Sequence, residues 1–167
     1  MNLIAAVDQH WGIGRGNQLL VRIPRDLKQF QQETYGKVVI YGRKTLEVLP
    51  SGQPLIGRTN IILSKNPSFT VRNAVIKHSV EETLDYIHTF PSQDVYVIGG
   101  ESIYRAFLPY CDLAHITHID RTYDADRYFP NLAETGEWKV TDTSDELTYF
   151  DIAYHFVQYE RTERPIP

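Results

Sequence analysis

The sequence contains a single cysteine and no apolar run long enough to cross a bilayer. Among its 167 residues only Cys111 carries a thiol, so no internal disulfide can form and packing must hold the fold together, which suits a reducing compartment. A membrane-spanning helix would need about 20 apolar residues. The first residues, MNLIAAVDQHW, include no positively charged leader and reach Asp8 early, which predicts a strand and not a signal peptide. We therefore expect a cytoplasmic protein with no membrane partner.

Basic residues are also few. Lysine and arginine number 17 against 21 aspartate and glutamate residues, for a net charge of −4. Nucleic-acid-binding domains usually carry a basic excess or stripe, so we expect no nucleic-acid partner. The charge of a polyanionic ligand would have to be met by a few locally placed basic residues.

The signatures of several common chemistries are missing. The chain has no CxxC, HExxH, GxSxG or Walker motif, so metal-dependent hydrolysis, serine hydrolysis and ATP use have no support. The six histidines are scattered, and the odd spacing of His115 and His118 in a predicted strand directs their side chains to opposite faces. We expect no metal site, and a structural role for Cys111.

Short β-branched segments alternate with helical patterns along the chain. Several of the former are apolar at successive positions, as in parallel strands buried on both faces. The predicted strands are Leu3–Val7, Val38–Tyr41, Asn60–Leu63, Ala74–Lys77, Val95–Ile98 and Ala114–Ile119. The predicted helices are Pro24–Thr34, Lys44–Leu49, Val80–Thr89 and Ser102–Leu108, the third opened by a capping box of Ser79 and Glu82.

The C-terminal segments WKVTD and IAYHFVQYER alternate polar and apolar residues, which is typical of antiparallel strands at a sheet edge. The whole pattern predicts one α/β domain over residues 1–161, with a mostly parallel central sheet and helices on both faces. Residues 162–167 would form a short tail that frays. Ligands of such sheets bind at the carboxyl ends of the strands, so the informative residues should follow each apolar run.

Two glycines, Gly99 and Gly100, follow the strand at Val95 and precede a helix that begins near Ser102. Paired glycines let the backbone approach a ligand closely, and the start of a helix offers free N–H groups to phosphate. The alternative is a strand-to-helix turn that needs flexibility alone.

Two basic segments follow neighbouring predicted strands. Gly42-Arg43-Lys44-Thr45 places two cations at the start of a helix, where they oppose the helix dipole and local stability does not explain them. Ser64-Lys65 follows the next strand. These residues are either solvated surface cations or a phosphate site, and two clusters at one sheet edge favour phosphate.

Asp26 lies beside an apolar stripe. Helical spacing puts Ile23, Leu27 and Phe30 on one face, with Asp26 three residues after the first and four before the last. A carboxyl in an apolar pocket has a raised pKa, as proton-transfer sites require. The alternative is an exposed acidic residue that favours the helix dipole.

A glycine-rich stretch, Gly12-Ile13-Gly14-Arg15-Gly16, follows the first strand. It falls short of the dinucleotide-binding fingerprint, because Asn17 follows and no helix begins there. We interpret it as a mobile loop over the site, with an ordinary surface loop as the alternative.

These segments together resemble the dihydrofolate reductase family, in order and at similar spacing from Leu3 to about Arg161. The segments that carry the resemblance are LIAAVD, WGIGRGNQLL, IPRDLKQF, VIYGRKT, PLIGRTNIILS, VYVIGGESIYRAFLP, ITHID and DADRYFP. The resemblance implies an eight-stranded sheet with about four flanking helices. It also implies NADPH as cofactor, reduction of 7,8-dihydrofolate to tetrahydrofolate for one-carbon metabolism, and a monomer acting on a small-molecule substrate.

The resemblance assigns roles to individual positions. Asp26 would hydrogen-bond the pterin ring as the catalytic carboxylate, Thr117 would support it, and Arg58 would hold the α-carboxylate of the glutamyl tail. The remaining substrate-binding positions would be Ile4, Ala5, Leu27, Phe30, Leu49, Leu55, Ile98 and Tyr104. The cofactor positions would be Ala6, Ile13, Gly14, Asn17, Leu19, Gly42, Arg43, Lys44, Thr45, Leu63, Ser64, Lys65, Ile98, Gly99, Gly100, Glu101, Ser102, Ile103 and Tyr104. The Gly99–Gly100 peptide bond would be cis, and the loop from Ile13 to Leu20 would close over the nicotinamide.

Two positions depart from the family pattern. Leu20-Val21 stands where the family usually has Pro-Trp, and Leu46 stands where it commonly has tryptophan. Two other functions stay open at this point. One is another reductase of the same superfamily, such as that of riboflavin synthesis acting on a ribosylamino-pyrimidine, and the other is a non-catalytic NADPH-binding module.

Overall fold

A computed structural model describes residues 1–163, so the last four residues of the predicted tail lie outside the described part. The strands are β1 (Asn2–Val7), β2 (Gly12–Arg15), β3 (Gln18–Leu19), β4 (Val38–Gly42), β5 (Thr59–Leu63), β6 (Val75–Lys77), β7 (Val95–Gly99), β8 (Leu113–Ile119), β9 (Arg127–Tyr128), β10 (Trp138–Thr143), β11 (Leu147–Tyr149) and β12 (Ile152–Arg161). The α-helices are α1 (Pro24–Thr34), α2 (Arg43–Val48), α3 (Val80–Ile87) and α4 (Glu101–Phe107).

The central sheet has the strand order β10-β12-β8-β1-β7-β4-β5-β6, with β11 paired to β12 as an additional short strand. All pairs from β8 through β1, β7, β4 and β5 to β6 are parallel, and β12 is antiparallel to both of its neighbours in this order. The predicted fold is therefore confirmed, including the eight-strand path, the antiparallel C-terminal edge and the four helices.

The parallel strands are buried on both faces, as their continuous apolar sequences predict. In β4, Val38 and Ile40 pack into one apolar cluster, whereas Val39 and Tyr41 pack into another on the opposite face. A strand with no solvent-facing side needs no polar alternation. This double burial positions the carboxyl end of β4 between two apolar clusters, next to the site.

The helix boundaries follow the local signals. Pro24 occupies the first turn of α1, where its missing N–H breaks no hydrogen bond. Ser79 caps α3 by accepting a hydrogen bond from the Glu82 backbone N–H at 3.1 Å, while the Glu82 carboxylate accepts one from the His78 backbone N–H at 2.8 Å. The predicted cap is thus present, although the glutamate returns to the residue before the cap.

Four short strands were not predicted. The glycine-rich stretch is a hairpin of β2 and β3 that pairs with β9 in a separate three-stranded sheet, and β11 joins the C-terminal edge. Asp8 holds this hairpin in place, because its buried carboxylate accepts hydrogen bonds from the backbone N–H groups of His10, Gly12 and Tyr123 at 2.8–3.0 Å. The stretch interpreted as a mobile loop therefore forms a hydrogen-bonded hairpin, and the loop interpretation was wrong in its secondary structure.

Cys111 lies just before β8 and is fully buried, and burial raises the pKa of its thiol to about 12. A bilayer-spanning helix would need a length and an apolar character that no helix in residues 1–163 has.

Candidate active site

One cavity of about 540 Å³ lies between α1, α2 and the carboxyl ends of β1, β7 and β8. Its walls are mostly apolar, as is usual for sites that bind small organic ligands. Ten of the eleven predicted substrate positions line it: Ile4, Ala5, Asp26, Leu27, Phe30, Leu49, Leu55, Ile98, Tyr104 and Thr117. Of the positions predicted for the cofactor alone, Ala6, Leu19 and Thr45 also line this cavity.

Asp26 places a carboxylate in the wall of the cavity beside β8. It stands in the first turn of α1, and the hydroxyl of Thr117 on β8 donates a hydrogen bond to its Oδ1 at 2.5 Å. Burial raises the pKa of the Asp26 carboxyl above its ordinary value, and the bond from Thr117 partly opposes that rise. The apolar stripe therefore places Asp26 as the sequence predicted, and the exposed alternative is wrong.

Tyr104 closes the wall between α4 and β1. Its hydroxyl donates to the Ile4 carbonyl at 2.7 Å, and its ring meets the Phe129 ring edge-on with 4.7 Å between centroids. The side chain is buried, which raises the pKa of the phenol and keeps it a neutral donor. Tyr104 thus fixes the end of β1 against α4.

Arg58 does not line the cavity but stands at its rim. Its Nε donates to the Thr34 hydroxyl at 3.0 Å and its Nη1 to the Ile56 carbonyl at 2.9 Å, while Nη2 contacts Gln31, which lines the cavity. These contacts hold the planar guanidinium in one orientation. A planar fork held in this way is suited to a carboxylate.

The predicted phosphate-binding segments meet at the carboxyl ends of adjacent strands. Gly42 pairs with Leu63 across β4 and β5, and Tyr41 pairs with Gly99 across β4 and β7. The residues that follow these strands, beginning with Arg43, Ser64 and Gly100, are therefore neighbours in space. Within residues 1–163 the cations at this edge form no ion pair: Arg43, Lys44 and Lys65.

Three glycines lie at this edge: Gly42, Gly99 and Gly100. The Gly99–Gly100 peptide bond is cis, as the resemblance implied, and Gly99 has a φ of 127°, which only glycine adopts readily. A Cβ added at Gly42 would lie 3.1 Å from Cγ1 of Ile103, and one at Gly100 would lie 3.9 Å from Oγ1 of Thr45. Gly42 thus packs closely against α4, which begins with Glu101 and Ser102, whereas Gly100 lies at ordinary contact distance from Thr45.

The β2–β3 hairpin lies beside this edge. Leu19 reaches the cavity, and the Asn17 amide donates to the Lys44 carbonyl at 3.0 Å and to the Glu47 carboxylate at 3.4 Å. The hairpin also carries Ile13 and Gly14, and the Asp126 backbone N–H donates to the Gly14 carbonyl at 2.9 Å. These contacts tie the predicted cofactor residues of the hairpin to α2 and to the segment before β9.

Two residues that depart from the family pattern, Val21 and Leu46, pack in apolar clusters. Val21 packs in the cluster around Ile23 and Tyr154, and Leu46 is buried in the cluster that contains Tyr41 and Leu55.

Sequence reasoning missed a second set of cavity residues. On the side of α2 and the mouth these are Arg22, Gln31, Val48 and Pro50. Behind α1 they are Gln29, Glu33, His115, Ile116, Asp142, Ser144, Phe156, Val157 and Gln158. Gln29 and Glu33 could have been found from their helical spacing after Asp26, and His115 from its alternation with Thr117 on β8. In the part of the chain that the structure describes, no cluster of three potential metal-ligating side chains occurs.

Comparisons with known proteins agree with this geometry. The family model described as "Dihydrofolate reductase" matches residues 1–161. The chain is 34% identical over 165 residues to dihydrofolate reductase of Bacillus subtilis (strain 168), with 96% of this chain and 94% of that protein covered. It is 40% identical over 153 residues to that of Mycobacterium leprae (strain TN), with 86% and 90% covered.

Solved structures give the same result. The structure of dihydrofolate reductase from Enterococcus faecalis complexed with NADP(H) and RAB-propyl has a TM-score of 0.86 to this chain and 30% sequence identity, covering 97% of this chain and 96% of that one. The sequence match thus extends over the same elements that carry the cavity, the Asp26 carboxylate and the glycines at the strand ends. On these grounds the chain belongs to the dihydrofolate reductase family.

Proposed function

We propose that the protein reduces 7,8-dihydrofolate to 5,6,7,8-tetrahydrofolate with NADPH, and so serves one-carbon metabolism. The observation that carries the proposal is the Asp26 carboxylate, hydrogen-bonded to Thr117 in a mostly apolar cavity. A heterocycle with an amino group beside a ring N–H offers two parallel donors to such a carboxylate. The pterin ring of dihydrofolate has this arrangement.

Asp26 and Thr117 are proposed as the catalytic pair because they contact the pterin. The reaction needs a proton at N5, which lies at the end of the pterin away from the amino group. Asp26 therefore acts indirectly, by fixing the ring tautomer and raising proton availability. The raised pKa of the Asp26 carboxyl supports this role, since a carboxyl that keeps its proton more readily takes part in proton exchange nearer neutral pH.

The residues at the carboxyl ends of β4, β5 and β7 fit NADPH. Gly42 and Gly100 leave the backbone at these strand ends without side chains, and Arg43, Lys44 and Lys65 form no ion pair within residues 1–163. When bound, NADPH supplies the hydride that reduces C6 of the pterin. The chain's own task is to bind the phosphates through Arg43, Lys44, Ser64 and Lys65 and to exclude water with apolar walls such as Leu19 and Leu49.

Arg58 is proposed to bind the α-carboxylate of the glutamyl tail. Its guanidinium is already oriented by Thr34 and the Ile56 carbonyl, so little side-chain freedom is lost when a carboxylate binds. This contact would place the tail at the rim while the pterin occupies the inner end beside Asp26.

The cofactor preference is the first prediction. A 2′-phosphate held by two or three charge-assisted hydrogen bonds, each worth roughly 1.5–3 kcal/mol, implies at least a roughly tenfold preference for NADPH over NADH. The measurement is kcat/KM for both cofactors with dihydrofolate. Equal values would remove the phosphate site from the proposal.

The reaction itself is tested by spectrophotometric NADPH oxidation with and without dihydrofolate, and with a ribosylamino-pyrimidine as second substrate. We expect oxidation that depends on dihydrofolate. Turnover of the pyrimidine alone would indicate the other reductase, and NADPH binding without any turnover would indicate a non-catalytic module.

We further propose that the protein acts as a cytoplasmic monomer, without nucleic-acid or membrane partners. One chain supplies the walls of the cavity, which supports a monomeric enzyme. The net charge of −4 disfavours nucleic-acid binding. Sedimentation analysis tests the monomer, and cell fractionation tests the location.

A further inference from the structure

The cavity does not end at the Asp26–Thr117 pair but continues behind α1. We call this part the rear passage. Its polar lining residues, from α1 and from the sheet edge, are Gln29, Glu33, His115, Asp142, Ser144 and Gln158, beside the apolar Ile116, Phe156 and Val157. None of them was assigned a role in the proposed reaction.

Two rows of side chains connect the rear passage to Asp26. On α1, Gln29 and Glu33 follow Asp26 by three and seven residues and share its helix face. On the sheet, His115 precedes Thr117 by two residues on β8 and points to the same face, and Gln158 of β12 pairs directly opposite His115. The rows lead from the catalytic pair to the exposed edge of β10.

The chemistry of these walls is unusual for a helix packed on a sheet. Such contacts are ordinarily apolar, whereas here both sides carry amides and titratable groups. Polar walls that offer several hydrogen-bonding groups hold water, whereas apolar walls stay dry. The outer end of the rear passage is solvent-exposed at Asp142 and Ser144.

The hydrogen bonds around His115 determine which ring nitrogen is free. The Asn2 amide donates to the carbonyls of Gln93 at 3.0 Å and Val95 at 3.1 Å, so its oxygen is an acceptor. His115 Nε2, 3.1 Å from that oxygen, must then carry the hydrogen. In the neutral ring Nδ1 is therefore an acceptor for a donor in the rear passage.

Glu33 adds an acceptor on the opposite wall, which α1 forms. It accepts a hydrogen bond from the Tyr96 hydroxyl at 2.9 Å through one carboxylate oxygen. Burial lowers the pKa of His115 and so favours the neutral imidazole. The negative charge of Glu33 has the opposite, smaller effect on that pKa. The rear passage thus presents acceptors on both walls for hydrogen-bonded water.

The proposed reaction needs such a route. Hydride moves from NADPH to C6 of dihydrofolate, one proton from solvent ends on N5, and the products are NADP⁺ and tetrahydrofolate. Substrate and cofactor cover the front of the cavity while this happens. We propose that the rear passage is a second, water-filled route to Asp26 and Thr117, through which the proton consumed in each turnover is resupplied. This inference rests on the proposed function.

The test blocks the rear passage with Gln29→Phe, which replaces the amide by a larger apolar group. Proton resupply should then limit turnover, so kcat should fall at least about tenfold. The solvent deuterium isotope effect on kcat should grow, and the isotope effect of deuterated NADPH should shrink. Dissociation constants of NADPH and dihydrofolate should stay within about twofold. Gln32→Phe, on the exposed face of α1, is the matched control and should behave as wild type.

Two further experiments address the second wall and the passage itself. Gln158→Met removes the amide from the β12 wall at nearly constant size and should reproduce the isotope signature, whereas Gln29→Asn, which keeps an amide, should not. A crystal structure of the wild-type ternary complex should show ordered water from Ser144 to Asp26.

Unchanged kcat and isotope effects in a folded Gln29→Phe or Gln158→Met protein would overturn the inference, as would a dry, closed passage in the crystal. If wild type itself does not turn over dihydrofolate, the proposed function has failed instead.

Discussion

At the scale of single residues, Asp26 has opposing effects on stability and activity. Its folded-state pKa lies above the ordinary value of 3.8, because burial disfavours the charged form. The protonated form therefore favours the fold, and this contribution is lost as the pH rises through the folded-state pKa. At neutral pH the ionised, partly buried Asp26 carboxylate therefore lowers the free energy of unfolding. This is a common property of functional sites.

Asp26→Asn separates these effects. The amide keeps the size and can still accept from Thr117, but it cannot ionise. At neutral pH we expect the variant to melt at an equal or higher temperature than wild type and to lose about a hundredfold in kcat. The loss should shrink as the assay is made more acidic, since solvent then protonates N5 directly. The measurements are thermal melts and kcat against pH for both proteins.

A twofold change in kcat corresponds to well under about 1 kcal/mol in the activation free energy. A variant whose kcat at neutral pH lies within about twofold of wild type would therefore remove Asp26 from the mechanism. Thermal melts in acid provide the control for stability. The two proteins should converge there, because wild-type Asp26 is protonated as well.

Arg58 gives a prediction about the substrate tail. Arg58→Leu should weaken dihydrofolate binding by at least about tenfold and leave a pterin without the glutamyl tail almost unaffected, because the guanidinium meets only the tail. Arg58→Lys should recover little, since an ammonium group cannot form the planar fork. Dissociation constants for both ligands are the measurement. Equal losses for the two would show that Arg58 acts through its bonds to Thr34 and the Ile56 carbonyl, on the fold.

At the scale of elements, periodicity located the long segments and missed the short ones. Most of the predicted strands, and α1, repeat a pattern over five residues or more, so their type was predictable to within a few residues at each end. The two-residue strands β3 and β9 carry no periodic signal, because they are formed by the contacts around Asp8 and Asp126. The rear wall of the cavity was missed because it needs the pairing of β12 with β8, which no local pattern specifies.

The β8–β12 pair also predicts how stability depends on pH. Burial, with a smaller effect of His155, lowers the pKa of His118 to about 4. The folded state thus holds the neutral ring, and stability should fall as the pH drops from about 6.5 towards 4, because the unfolded chain binds the proton first. Allowing for solvent screening, the contribution is about 1–2 kcal/mol.

His118→Phe tests this element. The substitution removes the titrating group and keeps an aromatic ring beside Trp11. The free energy of unfolding should therefore depend less on pH between about 6.5 and 4. The free energy itself should fall, because the 2.8 Å contact between His118 and Tyr159 is lost. Denaturant unfolding at several pH values is the measurement. His88→Gln, at an exposed site, is the control and should keep the wild-type slope. An unchanged slope in His118→Phe would assign the acid sensitivity to other groups.

At the scale of the whole molecule, the site is made by strands that are far apart in sequence. Asp26 and Thr117 are 91 residues apart, yet they meet because α1 crosses the sheet above β8. The order of the family-like segments could be read along the chain through the family resemblance, but the depth of the cavity could not be predicted from the sequence. Its two-sided shape depends on how closely α1 packs against the sheet, which is a property of the assembled fold.

The buried thiol of Cys111 makes this protein a reporter of its own unfolding. A thiol with a pKa of about 12 and no exposed surface reacts with a disulfide reagent only after the chain opens around it. When reclosing is fast, the labelling rate measures the population of the open form. A ligand that binds the closed form at a hundred times its Kd should slow labelling by about a hundredfold. Following the labelling of Cys111 by mass spectrometry would therefore measure the affinity for NADPH without any engineered probe. A labelling rate that does not depend on NADPH would show that the chain around Cys111 opens locally, without release of the ligand.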